Sequence, residues 1–194
     1  MAELPPEPLT KLDVADDAGS QTAVFAGGCF WCVEGVFEII PGVTDVTSGY
    51  AGGDASTANY EATCRGDTGH AEVIRVTYDP AEVSFETLVQ VFFGVAHDPT
   101  QLNRQGADRG TQYRSAFFYA NEQQREVVSA YVKQLDDAGY FDQPIATTIE
   151  PLTEFFEAEP YHQDFARRNP SQPYVACTAL PKIDKMRALL ASAG

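Results

Sequence analysis

The order of apolar patterns along the first 120 residues is the feature that most constrains the fold. Short apolar or alternating runs predict strands, and apolar side chains spaced by three and four residues predict helices. Two strand–helix–strand units follow from these patterns, one over 22–26, 29–40 and 43–50, the next over 71–78, a helix capped by Ser84, and 115–120. This order is the split βαβ pattern. We therefore predict an α+β fold, a ferredoxin-like two-layer sandwich with one sheet and helices packed on a face.

The remaining segments are expected to wrap this unit. They comprise long loops, with polar residues at 97–113, and additional C-terminal elements: a helix over 121–137, a strand over 145–149, and helices over 159–168 and 181–191. Residues 1–20 are acidic, contain proline and show no period, which predicts a flexible leader. A chain of 194 residues is typically one domain. Residues 21–194 are therefore predicted to form a single domain.

The net charge limits the partners that this chain can bind. Thirteen basic and 28 acidic residues give a charge of −15 at pH 7, and a field of that sign repels nucleic acid and anionic lipid. Neither a membrane-length apolar run nor a secretion signal is visible. We therefore expect a cytoplasmic monomer that binds neither nucleic acid nor membrane. Many acidic residues and only four lysines are also typical of proteins from a high-salt cytosol.

Two glycines and a Cys-x-x-Cys pair mark the junction between the first strand and the first helix. Gly27 and Gly28 let the backbone turn there and leave room for a ligand. Cys29 then lies at the helix N-terminus, where unpaired N–H groups and the helix dipole favour negative charge and lower a thiol pKa. A buried structural cysteine is the alternative, but it explains neither the glycines nor Cys32. We therefore predict that Cys29 is an ionised, reactive nucleophile.

Gly28-Cys29-Phe30-Trp31 resembles the signature of the peptide methionine sulfoxide reductase A family. Further blocks that are similar to the family's follow in its order: SGYAGG at 48–53, NYE at 59–61 with Cys64, GDTGHAE at 66–72, HDPT at 97–100, NRQG at 103–106, Asp108, GTQYRS at 110–115, EPYHQ at 159–163 and NP at 169–170. The resemblance covers about residues 22–185. Several blocks in the right order make chance a poor explanation.

The resemblance implies a catalytic domain that reduces methionine S-sulfoxide, free or in proteins, as a repair of oxidative damage. The oxygen of a sulfoxide leaves badly, so attack of Cys29 on the sulfur needs a proton donor at that oxygen. Glu72 occupies the family's acid position, and an apolar, partly dry surrounding would raise its pKa enough for this role. Without the motif, a glutamate on a strand would be assigned to the solvent face.

The same resemblance supplies further site residues. Tyr60 and Tyr113 match tyrosines whose hydroxyls point at the sulfoxide oxygen. Phe30 and Trp31 match the aromatic walls that hold the substrate methyl group. Asp108 matches an aspartate in the long loop with a hydrogen-bonding role. Without the motifs, the aromatic residues would be ordinary packing residues and Asp108 a solvated carboxylate.

The implied cycle needs a second thiol. Cys29 becomes a sulfenic acid, a second cysteine condenses with it to a disulfide, and thioredoxin or another dithiol restores the thiols, with no metal or organic cofactor. Cys32 can close a Cys-x-x-Cys disulfide. Cys177 lies in the C-terminal tail, two positions beyond the place where we would align the family's resolving cysteine, and both cysteines stay candidates. Cys64 is expected to be a small buried residue.

Three other functions stay open for the same residues. A thioredoxin-like dithiol oxidoreductase would use Cys29 and Cys32 but leaves the downstream blocks unexplained. A zinc-binding module would add two ligands to this pair; the candidates are Cys64, His70, His162 and Cys177. A cysteine hydrolase would pair Cys29 with His97 or His162 as a base.

Overall fold

A mixed six-stranded sheet and a small hairpin make up the strands of the computed structural model, which describes residues 4–14 and 19–193. The strands are β1 (Gln21–Gly27), β2 (Val43–Ala51), β3 (Ala71–Tyr78), β4 (Arg104–Gln105), β5 (Asp108–Arg109), β6 (Ser115–Tyr119), β7 (Thr148–Pro151) and β8 (Phe155–Glu157). The sheet has the order β7-β6-β1-β3-β2-β8, and β4 pairs with β5 in the hairpin. Only β6 and β7 pair in parallel among these described strands.

Side-chain caps define where several helices begin. The helices are α1 (Phe30–Phe37), α2 (Tyr60–Thr63), α3 (Phe85–Val91), α4 (Glu122–Asp137), α5 (Phe165–Arg168) and α6 (Leu180–Ala193). Ser84 caps α3 as predicted, because its Oγ accepts a 3.1 Å hydrogen bond from the N–H of Thr87. Asn121 caps α4 in the same way through the N–H of Gln124, at 2.9 Å. Within the part of the chain described, no helix combines the length and apolarity needed to cross a membrane.

The two faces of the sheet carry side chains of different size. Phe25, Ile74 and Phe117 lie on one face in a large core that α1, α3 and α4 complete. The other face presents mainly small residues and packs against Leu152 and Phe155. The predicted α+β class is therefore confirmed. The ferredoxin-like description stays an interpretation of the four inner strands, since β7 and β8 extend the sheet at its edges.

Several elements differ from the sequence prediction. The predicted helix over 159–168 is divided into a 3₁₀ turn at Pro160–His162 and the short helix α5, because Asp164 has a left-handed backbone with φ of 54°. The strand predicted over 145–149 lies at Thr148–Pro151. The patterns do not predict β8 or the β4–β5 hairpin, because strands of two or three residues are too short to show alternation.

Residues 4–14 pack against α3 and α4, which corrects the prediction of a flexible leader for this part of it. Three backbone carbonyls of the segment accept hydrogen bonds of 2.7–3.0 Å from helix side chains: Pro5 from Gln90, Pro6 from Tyr131 and Glu7 from Gln134. An extended, proline-containing backbone leaves such carbonyls free, and long polar side chains satisfy them. The predicted leader residues 1–3 and 15–18 lie outside the described residues, and the boundary at residue 20 stays a prediction.

Candidate active site

A tight strand-to-helix turn positions Cys29. The strand β1 ends at Gly27, and Gly28 follows with φ of 89°, a backbone conformation that suits glycine. A Cβ on Gly28 would lie 2.5 Å from a side-chain carbon of Gln105. Cys29 is the N-cap of α1, and its carbonyl accepts a 3.1 Å hydrogen bond from the N–H of Cys32. Glycine is therefore required at position 28, both for the backbone turn and for the approach of the long loop.

One cavity brings together every residue predicted to bind or act on the substrate. It has a volume of about 270 Å³, and its lining contains Cys29, Phe30, Trp31, Tyr60, Glu72, Asp108, Tyr113, Gln172 and Tyr174. Seven of these nine are the residues named from the sequence; Gln172 and Tyr174 are additions. We call this space the substrate cavity.

Glu72 is a buried carboxylic acid in the wall of the substrate cavity. It lies on β3, is 2% exposed, and its Oε2 accepts a 3.0 Å hydrogen bond from the N–H of Phe30. Burial raises the pKa of Glu72 to about 8 despite this hydrogen bond, and the charge of Asp108 acts in the same direction as burial. A carboxyl with this pKa keeps its proton at neutral pH. Glu72 can therefore act as a proton donor toward a group bound beside it.

The environment of Cys29 contradicts the prediction of an ionised thiol. Cys29 is 9% exposed and Cys32 is 1% exposed. Burial raises the pKa of Cys29 well above its ordinary value, and the hydrogen bond to Cys32 and the charge of Glu72 add to the effect. The hydrogen bond from Cys29 in turn lowers the pKa of Cys32. Burial therefore outweighs the field of the helix N-terminus, and Cys29 rests as a protonated thiol at neutral pH.

Two tyrosine hydroxyls line the cavity with Glu72. Burial is the first cause that raises the pKa of both Tyr60 and Tyr113, so both hydroxyls stay protonated and can donate hydrogen bonds. The N–H of Tyr60 donates to Oε1 of Glu159 at 2.9 Å, which fixes the start of α2. Tyr113 lies in a 3₁₀ turn before β6. Together with Glu72 they form a group of three potential donors.

The aromatic wall rests on residues that the sequence prediction did not include. The indole of Trp31 stacks on Phe165, with ring centroids 3.8 Å apart and an interplanar angle of 11°. Its Nε1 donates to Nδ1 of the buried His162 at 3.1 Å. Glu34 holds Phe165 in turn, because Oε2 of Glu34 accepts a 3.2 Å hydrogen bond from its N–H. The EPYHQ block that contains His162 was the signal in the sequence for this support.

Tyr174 also lines the substrate cavity, and the sequence prediction did not include it. Its hydroxyl donates to Oδ2 of Asp108 at 2.5 Å, and the Sγ of Cys32 lies 3.8 Å from the same hydroxyl oxygen. Asp108 thus has a hydrogen-bonding role, and its partner is this tyrosine. The only signal for Tyr174 in the sequence was its place three residues before Cys177.

The other cysteines and histidines are less suited to the chemistry. Cys177 is exposed on the π-helical turn Val175–Ala179, and Cys64 is also exposed, contrary to the expectation of a buried residue. His97 is fixed in the core between the carbonyl of Phe92 and Oγ of Ser115, at 2.9 and 2.6 Å. Burial lowers the pKa of His97 to about 3. His97 is therefore a core histidine and not the base of a cysteine hydrolase.

The zinc alternative lacks a ligand set in the described part of the chain. No three of the His, Cys, Asp and Glu side chains placed there stand together as metal ligands. His70 is buried, and its Nδ1 accepts a hydrogen bond from the N–H of Gly53 at 3.3 Å. His162 accepts the hydrogen bond of Trp31. The two histidines proposed for that alternative are thus occupied by other hydrogen bonds.

Comparison with known proteins finds similarity to one enzyme family along nearly the whole chain. A family model described as peptide methionine sulfoxide reductase matches residues 21–192. Two proteins of this name, MsrA 2 of Synechocystis and MsrA of Natronomonas pharaonis, are 50% and 51% identical over 184 and 170 residues. These alignments cover 94% and 88% of this chain, and 86% and 95% of the relatives.

Solved structures share the fold. The reduced form of Mxr1 from Saccharomyces cerevisiae has a TM-score of 0.72 and 36% identity, covering 81% of this chain and 90% of that chain. Mxr1 in complex with Trx2 has a TM-score of 0.51 and 24% identity, covering 79% and 89%, and adds only a likeness of fold. With the cavity, the family model and the relatives in agreement, the chain belongs to the peptide methionine sulfoxide reductase family, whose enzymes reduce methionine sulfoxide.

Proposed function

We propose that this chain reduces the S epimer of methionine sulfoxide, free or in proteins, and so repairs oxidised methionine in the cytoplasm. The observation that supports this most strongly is the protonated Glu72 carboxyl in the same cavity as Cys29. A sulfoxide accepts a nucleophile at sulfur only as its oxygen is protonated or hydrogen-bonded. A neutral acid and a thiol that line one small cavity meet that requirement.

The first step transfers oxygen from the substrate to Cys29. Glu72 gives its proton to the sulfoxide oxygen while the Cys29 sulfur attacks the substrate sulfur and its own proton is released to restore Glu72. The attack forms a bond between the two sulfur atoms. The hydroxyl then moves from the substrate sulfur to the Cys29 sulfur, so the substrate S–O bond and the new S–S bond break, and methionine and a Cys29 sulfenic acid remain. The net step consumes no free proton. The raised thiol pKa of Cys29 is therefore compatible with turnover.

The remaining cavity residues bind the two ends of the sulfoxide group. Tyr60 and Tyr113 donate to the oxygen as charge builds on it, and Phe30 and Trp31 contact the methyl group. A sulfoxide sulfur is a stereocentre. An oxygen held at one wall and a methyl held at the other leave sulfur facing Cys29 in only one epimer, which is the physical basis of the proposed preference.

Cys32 is our choice for the thiol that resolves the sulfenic acid. It follows Cys29 by three residues on α1, and residues at this spacing are neighbours on a helix surface. Cys177 is exposed on the turn Val175–Ala179 and lines neither the substrate cavity nor the space beside Cys32. Condensation of the sulfenic acid with the Cys32 thiol forms a disulfide and releases water. A dithiol protein of the thioredoxin class then reduces this disulfide.

Single-turnover reactions on separated epimers test the proposal. Wild-type protein should form one methionine per chain from the S epimer, whereas Cys29→Ser should form none. Turnover retained by Cys29→Ser, or equal rates with both epimers, contradicts the proposed mechanism.

The resolving cysteine is tested by a matched pair of variants. Cys32→Ser should keep the first turnover and lose thioredoxin-driven cycling, and Cys177→Ser should keep both. The reverse result identifies Cys177 as the resolver. If both variants cycle normally, the reductant acts directly on the sulfenic acid and no second cysteine is needed.

A further inference from the structure

A second cavity lies beside the two cysteines of α1. It has a volume of about 340 Å³ and its lining includes Cys29, Cys32, Gln105, Thr178 and Lys182. The long loop with the β4–β5 hairpin contributes one part of its lining and the C-terminal segment the other. Cys32, Gln105, Thr178 and Lys182 do not line the substrate cavity, so the two spaces are distinct.

The two cavities share part of their lining, and only the second is lined by Cys32. Cys29, Asp108 and Tyr174 line both, and the 2.5 Å hydrogen bond from Tyr174 to Asp108 joins two of these shared residues. Cys32 lines only the second cavity. An attacking thiolate must approach a disulfide along its S–S axis, from the side away from the sulfur that leaves. Attack on Cys32 is therefore compatible with the second cavity and not with the first.

Lys182 is the one cationic residue of the second cavity. It lies on α6, and its Nζ donates to the carbonyl of Ala96 at 2.8 Å, which holds the ammonium group in place. Its charge also lowers the pKa of Cys32, after the larger effect of the Cys29 hydrogen bond. Asp98 and Asp108 also line this cavity, so the fixed ammonium offsets part of the repulsion that these carboxylates exert on an incoming thiolate.

We propose that the second cavity is the side from which the reductant's thiolate reaches the Cys29–Cys32 disulfide, where Lys182 offsets the negative charge of Asp98 and Asp108. This inference rests on the proposed function, which supplies that disulfide. The thiolate attacks Sγ of Cys32, the Cys29–Cys32 bond breaks, and Cys29 leaves as a thiolate that takes a proton. The second thiol of the reductant then attacks the mixed disulfide at the reductant's sulfur. Cys32 is released, and the reductant is oxidised to its own disulfide.

A matched pair of lysine variants isolates the charge. Lys182 and Lys185 both lie on α6, and both donate to carbonyls of a second π-helical turn, Phe92–Ala96: Lys182 to that of Ala96 at 2.8 Å and Lys185 to that of Gly94 at 2.7 Å. Lys185 does not line the second cavity. Lys182→Gln should slow reduction of the preformed disulfide by dithiothreitol about three- to tenfold, as expected for the loss of one partly screened charge interaction. Lys185→Gln should leave that rate unchanged.

A second variant blocks the space itself. Thr178→Trp places a large side chain in the second cavity and should slow reduction by dithiothreitol by roughly tenfold or more, since access is required for exchange. Single-turnover sulfoxide reduction should be unchanged. Each rate is measured on protein first oxidised with one equivalent of sulfoxide, after thiol titration shows that two thiols have been lost. Failure of that titration contradicts the proposed disulfide, so the two failures are distinguished.

Repeating the measurements with thioredoxin shows whether a protein dithiol uses the second cavity in the same way as a small thiol. Slowing with both reductants means that a protein dithiol uses the same side as a small one. Slowing with dithiothreitol alone means that the cavity serves small thiols. If neither Lys182→Gln nor Thr178→Trp slows reduction by dithiothreitol, the reductant does not come through the second cavity and the inference is overturned.

Discussion

The substitution Glu72→Gln should have opposite effects on stability and on catalysis. The carboxyl of Glu72 is protonated in the folded protein because burial raises its pKa to about 8, compared with an ordinary value of 4.5. An acid with a raised folded pKa contributes its full stability below the unfolded pKa, and this contribution is lost as the pH rises through the interval up to 8. The destabilisation at Glu72 should therefore be about 3 kcal/mol at pH 7 and about 1 kcal/mol at pH 5.

The glutamine variant has no proton to lose. Its side-chain carbonyl can still accept the hydrogen bond that Glu72 takes from the N–H of Phe30. The difference in unfolding free energy between the variant and the wild type should then shift by about 2 kcal/mol in favour of Glu72→Gln between pH 5 and pH 7. Urea unfolding at the two pH values measures this shift. Glu126→Gln, at an exposed position of α4, is the control and should show little shift.

Catalysis should change in the other direction. An amide cannot deliver the proton that the sulfoxide oxygen needs, so the single-turnover rate should fall roughly 10²- to 10⁴-fold, the usual size of a general-acid effect. A parallel pH dependence of unfolding in variant and wild type would show that Glu72 is ionised in the folded protein. An unchanged single-turnover rate would remove Glu72 from the reaction. Either result refutes the reasoning from burial to proton donation.

Three further changes test the supports of the site. Glu34→Ala leaves the N–H of Phe165 without its acceptor, so KM should rise and the free energy of unfolding should fall by about 1–3 kcal/mol; an unchanged KM would contradict the role of Phe165 behind Trp31. Tyr174→Phe removes the hydroxyl at Asp108 and Cys32 and should slow disulfide formation, read by quenched thiol titration, roughly tenfold. Deletion of residues 1–14 should lower stability toward urea by about 2–4 kcal/mol through the lost hydrogen bonds to α3 and α4; an unchanged unfolding midpoint would mean that this packing is not maintained in solution.

The elements with clear periods could be predicted from the sequence. The strand over 71–78 matches β3 at both ends, and its alternation already put Glu72 on the same side as Ile74 and Val76, which lie in the large core. The resemblance then supplied the role of that buried acid. The site residues could be predicted because they lie next to turns and helix caps that the sequence indicates clearly.

Burial and distant packing could not be predicted in the same way. Gly28 and Cys29 indicated the positive electrostatic field at the N-terminus of α1. The desolvation that raises the pKa of the Cys29 thiol depends instead on side chains from distant parts of the chain. The same holds for residues 4–14: their composition indicates no regular structure, and only the fold shows that Gln90, Tyr131 and Gln134 present partners for their carbonyls.

The separation of the site residues along the chain has a consequence for synthesis on the ribosome. Cys29 is made early, Glu72 and Asp108 later, and Tyr174 only 145 residues after Cys29. A nascent polypeptide that stops short of Tyr174 lacks one wall of both cavities. Its Cys29 is then less buried than in the finished protein. Oxidants in the translating cell thus meet an unprotected sulfur until the C-terminal segment emerges and folds back over it.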